Sequence, residues 1–250
     1  MTPRKSAVPN AQEWVTTIIL GFAFGIVFFD RNAMNFLIPF IIREVSLSNT
    51  QIGMIASALA VAWCISGFLV GRWSDRSGRQ KPLLIASVLI FSVASSATGL
   101  AGGFVTILSV RLLMGLAEGP VLPLAQSLMA KASSPERRGA NMGIMQNVFS
   151  NLMGSLLAPL VLVAMAASFG WRSAFYLTAI PGLLAAFLIW RYVQEEPVSN
   201  KRITSSEPQA ATLHQGRDIK RNVTLCIVIS ALMVGWMITG WVFLPVYFTQ

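Results

Sequence analysis

Long apolar runs separated by short charged turns make up most of the chain. Seven such runs fall near residues 14–40, 50–71, 82–102, 104–131, 140–166, 171–193 and 222–248. Each is close to the roughly 20 residues an α-helix needs to cross the hydrocarbon of a bilayer, so the pattern predicts an all-α membrane protein. The third and fourth runs are divided by little more than "GLAGGF", which requires a tight turn. The first run is too long for the core of a cleavable signal peptide and reads as a span. Between the sixth and seventh runs lies "EEPVSNKRITSSEPQAATLHQGRDIKR", rich in Ser, Pro, Gln and charge, which reads as a linker. His214, the single histidine, falls there, and a solvated side chain is its ordinary reading. The expected organisation is a short N-terminus (1–13), a six-helix unit (14–193), a linker (194–221) and an incomplete seventh span (222–250).

Composition supports this reading. Of 250 residues, 54% are hydrophobic and only 12% charged, about half the charged share of a soluble domain. A net charge of +9 can signal nucleic-acid binding, but the bases here cluster in the turns between apolar runs. Fifteen of the 19 lie in the N-terminus and the loops after the second, fourth and sixth spans. Only Arg43 and Arg172 fall in the loops on the other side. The excess of bases marks the cytoplasmic side, so the N-terminus is expected in the cytoplasm, in a cell (inner) membrane. Cys64 and Cys226 lie within apolar runs and read as small buried hydrophobes rather than a disulfide. Trp14, Trp171, Trp190 and Tyr192 fall near span ends, as an interfacial aromatic belt would place them.

Four ionisable residues sit inside the spans: Asp30 and Arg31 in "FFDRNAMNF", and Arg111 and Glu118 in "RLLMGLAEGPVLP". Each costs about 2.5–3.5 kcal/mol at a helix centre, so their presence needs a reason. Two acids and two bases sum to zero, and a buried ion-pair network that orients helices is one explanation. Function is the other. Arg111, Gly115 and Glu118, spaced i, i+4, i+7, share a helix face, with Gly115 expected to leave open space between the charges. Asp30 and Arg111 both fall in the outer half of the membrane, where Asp30 or Arg31 can meet Arg111, while Glu118 lies about two turns deeper. A membrane-buried carboxylate can load and release a proton, and an arginine fork can grip an anion. In the fifth run Gln146, Asn147, Ser150, Asn151 and Ser155 form a polar stripe, with Asn147 and Asn151 able to bond substrate hydroxyls or to join helices. Gly53, Gly67, Gly143 and Gly154 read as close-packing positions. There is no intramembrane histidine, metal-ligand cluster or nucleophile–base pair, so neither an enzyme nor a cofactor is implied.

The charged turn "GRWSDRSGRQK" resembles the signature between the second and third spans of the major facilitator superfamily, with Gly71, Asp75, Arg76, Gly78 and Arg79 matching. Gln80 departs from the usual base, and Lys81 follows it. "SPERRGANMG" and "GWRSAFYLTAIPGLL" also resemble this superfamily, while "DRNAMNF" and "RLLMGLAEGPVLP" are similar to its anion:cation symporter family. The resemblance implies a fold of two inverted three-helix repeats in a six-helix bundle. It also implies a secondary transporter that moves a small organic anion, first a sugar acid, together with protons. Asp30 and Glu118 would then couple protons, Arg31 and Arg111 would bind substrate, and the Gly71–Arg79 motif would gate the cytoplasmic side. "MAKASSPERRG" lacks the Trp-Phe-Pro often found before Glu-Arg, which leaves aromatic acids, dicarboxylates and drugs open as cargo. Such a transporter has two six-helix halves, so the chain is expected either to be a truncated form of one or to be completed by a second half-transporter chain. A non-transporting remnant or regulatory membrane protein is the alternative.

Overall fold

The computed structural model describes residues 11–195, 221–222 and 224–236. The N-terminal residues before Ala11, nearly all of the expected linker with His214, and the end of the seventh run lie outside them. Six helices are long and apolar enough to cross a membrane: α1 (Ala11–Ile41), α2 (Asn49–Ser77), α3 (Gln80–Thr98), α4 (Phe104–Ala132), α5 (Arg138–Phe169) and α6 (Trp171–Tyr192). A shorter apolar helix, α7 (Thr224–Trp236), belongs to a separate unit beginning at Ser199.

The six helices pack in a pattern that repeats. The main contacts are α1 with α5 and α6, α2 with α4, α3 with α4, and α3 with α6. Exchanging α1–α3 for α4–α6 leaves this set unchanged, as two three-helix repeats require. The interior holds two large apolar clusters. One gathers Leu20, Phe24, Val88, Leu128 and Ile189, and the other Leu37, Ile55, Ile107, Leu162 and Phe175. Along α1 the first ends at Val27 and the second begins at Phe29, so Asp30 and Arg31 sit where they meet.

Several sequence expectations change at this level. Helix α2 continues past the apolar run to Ser77, so Gly71, Asp75 and Arg76 are helical and only Gly78 and Arg79 form the turn. No residue after Gly71 breaks the helix until Gly78, which takes the left-handed φ of 68° and donates its N–H to the Ser74 carbonyl. Gly115 does not open space between charges. A Cβ there would lie 2.5 Å from the Leu59 carbonyl oxygen and 2.8 Å from the Ala62 Cβ, so the glycine lets α4 approach α2. Gly67 and Gly154 are also close approaches, whereas Gly53 and Gly143 face nothing within 4 Å. Cys64 and Cys226 are exposed rather than buried. Trp171 is buried against Phe175 instead of standing at an interface; Arg172 covers its ring.

At the end opposite the N-terminus, Arg172 pairs with Glu44 and ties the α1–α2 turn to α6. The hydrogen bond from Arg172 holds the Glu44 carboxyl below the usual carboxylate range. A depressed acid stabilises the fold above its unfolded pKa and loses that effect as pH falls through the folded value. The Tm difference between wild type and Glu44→Gln should therefore be small, largest near neutral pH, and absent in acid. The Gly115 contact predicts a larger effect. Gly115→Ala should destabilise the bundle by about 1–3 kcal/mol through overpacking, read by unfolding in detergent, while Gly53→Ala should be neutral or slightly stabilising.

Candidate functional site

Asp30, Arg31, Arg111 and Glu118 come together as one electrostatic cluster. Neighbouring residues on a helix point about 100° apart, and this separates Asp30 from Arg31. Asp30 is fully buried. Its Oδ1 is hydrogen-bonded to the Ser95 hydroxyl of α3, which in turn contacts the Thr178 hydroxyl of α6. Thr178 also donates to the Phe175 carbonyl at 2.8 Å. Arg31 points elsewhere, stacking between the rings of Phe28 and Trp63, 5.7 and 5.1 Å from their centroids.

The ion pairing differs from the sequence expectation. Arg31 Nη2 meets Glu118 Oε2 at 3.5 Å, and among the described residues no ion pair joins Arg111 to Asp30. Arg111 lies with its guanidinium 5.5 Å from the centre of the Phe175 ring. It is 1% exposed, whereas the Arg31 side chain is 29% exposed. The two arginines are therefore not equivalent: Arg31 reaches an open face, and Arg111 is enclosed behind it. Helix α4 is interrupted just after Glu118. Pro120 lacks the N–H that would bond the Leu116 carbonyl, and the helix is interrupted at Gly119–Pro120 before resuming at Val121.

Asn147 and Asn151 are exposed, and Asn151 donates to the Asn147 carbonyl at 2.8 Å. They lie in a stretch of α5 that contains two π-helical segments, Ile144–Val148 and Asn151–Leu157. Sequence periodicity did not identify these segments, but Pro159 holds a clue to the second. In the π register Ala158 N–H bonds to the Met153 carbonyl, so residue 159 would serve Gly154. Pro159 has no N–H to give. The orphaned Gly154 carbonyl instead accepts from Asn32 Nδ2 at 2.9 Å. Asn32, next to Arg31, was not singled out from the sequence.

The gate motif is exposed. Asp75, Arg76 and Arg79 have no ion-pair partner among the described residues, and Gly67, Phe68, Gly71, Arg72, Asp75 and Arg76 line an open groove on α2. The turn after them is tied down by a residue that sequence reasoning missed. Arg79 provides no side-chain cap for α3. Glu195 Oε1 accepts from the Gln80 N–H at 2.5 Å and from the Lys81 N–H at 3.0 Å, a carboxylate at a helix N-terminus. Lys81 Nζ donates back to the Trp190 carbonyl at 2.9 Å. At the same end Asn141 Nδ2 donates to Glu13 Oε1 and Ser133 Oγ, joining α1 to the turn before α5.

The Major Facilitator Superfamily model matches residues 20–250. The chain belongs to that superfamily. It is 34% identical over 188 residues to the hexuronate transporter of Bacillus subtilis, covering 75% of this chain and 44% of the relative. It is 31% identical over 191 residues to a probable sulfoacetate transporter of Cupriavidus necator, covering 76% and 44%. Among solved folds, an inward-facing, occupied bacterial homologue of the human lysosomal transporter Spinster superposes with a TM-score of 0.69 at 23% identity, covering 76% and 46%. The chain thus spans less than half the length of these relatives. They are transporters, not enzymes, and the six apolar helices make this a multi-pass membrane protein.

The Asn32 contact can be tested directly. Asn32→Ala leaves the Gly154 carbonyl without a donor and should cost about 1–3 kcal/mol in unfolding measurements. Pro159→Ala restores a backbone N–H, so the penalty of Asn32→Ala should shrink in the double variant.

Proposed function

We propose that the chain is part of a secondary transporter that moves a small organic anion with protons by alternating access. The observation that carries this reading is the unequal setting of the two arginines, one partly open and one buried, around two buried acids. Arg31 presents a partly open guanidinium, held by two aromatic rings and weakly paired to Glu118. A carboxylate entering from the open face would compete with Glu118 for that guanidinium and receive a two-pronged grip. The displaced Glu118 would then be free to take a proton. Substrate binding and proton loading thereby become linked through one arginine. In this reading Arg31 is the substrate-binding residue, and Arg111, closed off from the open face, balances the charge of the acids rather than gripping cargo.

Sugar acids are the first choice of substrate. The hexuronate relative supports this, and the exposed amides of Asn147 and Asn151 suit a hydroxyl-bearing anion. Aromatic acids and dicarboxylates come next, and drugs last, because an exposed guanidinium favours anions. The exposed groove with Asp75, Arg76 and Arg79 suits docking of a second six-helix half, with the motif acting as a gate on the side that holds the N-terminus, proposed to be cytoplasmic. A non-transporting membrane protein is the second reading.

Uptake of labelled glucuronate into vesicles containing the chain together with a second six-helix half, with and without an inward proton gradient, tests the proposal. Gradient-driven accumulation is expected, and its absence favours the non-transporting reading. Arg31→Ala should weaken glucuronate affinity at least about tenfold, the scale of a lost charge-assisted hydrogen bond, and Arg111→Lys should weaken it far less. Glu118→Gln should abolish accumulation and leave exchange measurable. Equal loss of both would remove Glu118 from proton coupling.

A further inference from the structure

Helix α2 carries two different faces where it runs into the Gly78 turn. Asp75 follows Trp73 by two residues, about 200° around the helix, so the groove lined by Gly71, Asp75 and Arg76 lies on the side opposite Trp73. On the Trp73 side a second cleft opens between the last turns of α2 and the first turn of α3. Trp73 and Ser77 of α2, Arg79 of the turn, and Pro82 and Leu83 of α3 line a volume of about 200 Å³. That is less than the roughly 300–1,000 Å³ of a site that encloses a whole small ligand. Trp73 is 59% exposed. The cleft is thus apolar along the two spans and charged at the turn, the same polarity as an amphiphile.

The charge at the turn is unbalanced. Arg72, Arg76 and Arg79 are exposed and have no ion-pair partner among the described residues. Asp75 lies on the far face, and Glu195 is committed to the Gln80 and Lys81 amides. Those bonds also remove the usual alternative for an anion at a helix start, because Pro82, the next residue, has no N–H. An anion here has to be held by a side chain. Arg79 caps nothing on α3 and lines this cleft rather than the groove, and its planar fork suits a phosphodiester.

We propose that this cleft binds an anionic phospholipid of the surrounding bilayer, with its phosphate on Arg79 and the start of one acyl chain against Trp73, Pro82 and Leu83. The occupant is a lipid rather than a dissolved phosphate because the apolar walls belong to two membrane-spanning helices and need covering as well as the charge. The unpaired bases favour an anionic head group over a zwitterionic one, and a tryptophan near the end of a span suits the head-group layer. The site is independent of the transport reading and of the groove on the far side of α2: a second six-helix half docked in that groove leaves the lipid in place. The lipid would bracket the last turn of α2 and the first turn of α3 across the left-handed Gly78.

Fluorescence of the full 250-residue chain in detergent micelles, titrated with brominated phosphatidylglycerol or brominated phosphatidylcholine, tests this. Phosphatidylglycerol should quench a saturable part of the emission at concentrations at least about tenfold lower than phosphatidylcholine, the scale of a charge-assisted hydrogen bond. Trp73→Phe should lose that part. Arg79→Gln should bring phosphatidylglycerol to the level of phosphatidylcholine, whereas Arg72→Gln, on the groove side, should shift it by at most about fivefold, the worth of one base at an anionic surface. Trp73, Arg79 and Arg72 are all exposed, so folding does not hang on them. Equal quenching by the two lipids in the wild type, or equal loss in Arg79→Gln and Arg72→Gln, would overturn the proposal, because a diffuse basic surface would then account for the binding. Release of the lipid by glycerol phosphate would overturn it too, by making the site one for a soluble phosphate ester.

Discussion

Four charges enclosed between two apolar clusters are the constraint on which the six-helix unit depends. They sum to zero, yet a single ion pair, Arg31 with Glu118, joins them directly. The others are accommodated by different means. Asp30 is met by hydroxyls from two helices, and Arg111 lies over an aromatic ring. A network built only to hold helices together would gain most from close, fully satisfied pairs, and apolar side chains of similar volume would often do better. Instead the charges are distributed so that each keeps capacity for another interaction. Asp30 Oδ2, Glu118 Oε1 and the Nε atoms of both arginines are buried without a protein partner. Such an arrangement is costly for stability and suited to a site that exchanges partners.

The α2–α4 interface complements this layer. Gly115 brings the two backbones together, and Ser66 donates to the Gly115 carbonyl at 3.1 Å. That contact fixes α4 one turn before the Gly119–Pro120 break, where Glu118 projects toward Arg31. The close approach leaves the Glu118 carboxylate buried deep in the bundle.

Six of the spans, their tight connections and the four intramembrane charges were legible in the sequence, because hydropathy runs and intramembrane charges are strong one-dimensional signals. The partners of those charges were not. Spacing on α4 puts Arg111 and Glu118 on one face, but only the packing of α1 against α3 and α6 decides that Asp30 turns to Ser95 and Thr178 while Arg31 turns to Trp63. Gly115 was expected to leave open space for the same reason: spacing shows which residues share its face, not what packs against them. Asn32 and Glu195 escaped notice because each acts on backbone groups of a distant segment, orphaned in one case by Pro159 and in the other by a helix start with no local cap. The gate motif was recognisable in outline, although its first half is helix rather than loop. Its charged residues find no partner among the described residues, so their role stays a proposal.

Glu195 gives the end of α6 a mechanical part to play. One carboxylate oxygen holds two amides at the head of α3, and Lys81 returns the bond to the α6 backbone. Pulling these helices apart would strand both the carboxylate and the first amides of α3. The turn that begins α3 and the end of α6 are therefore clasped together next to the left-handed Gly78.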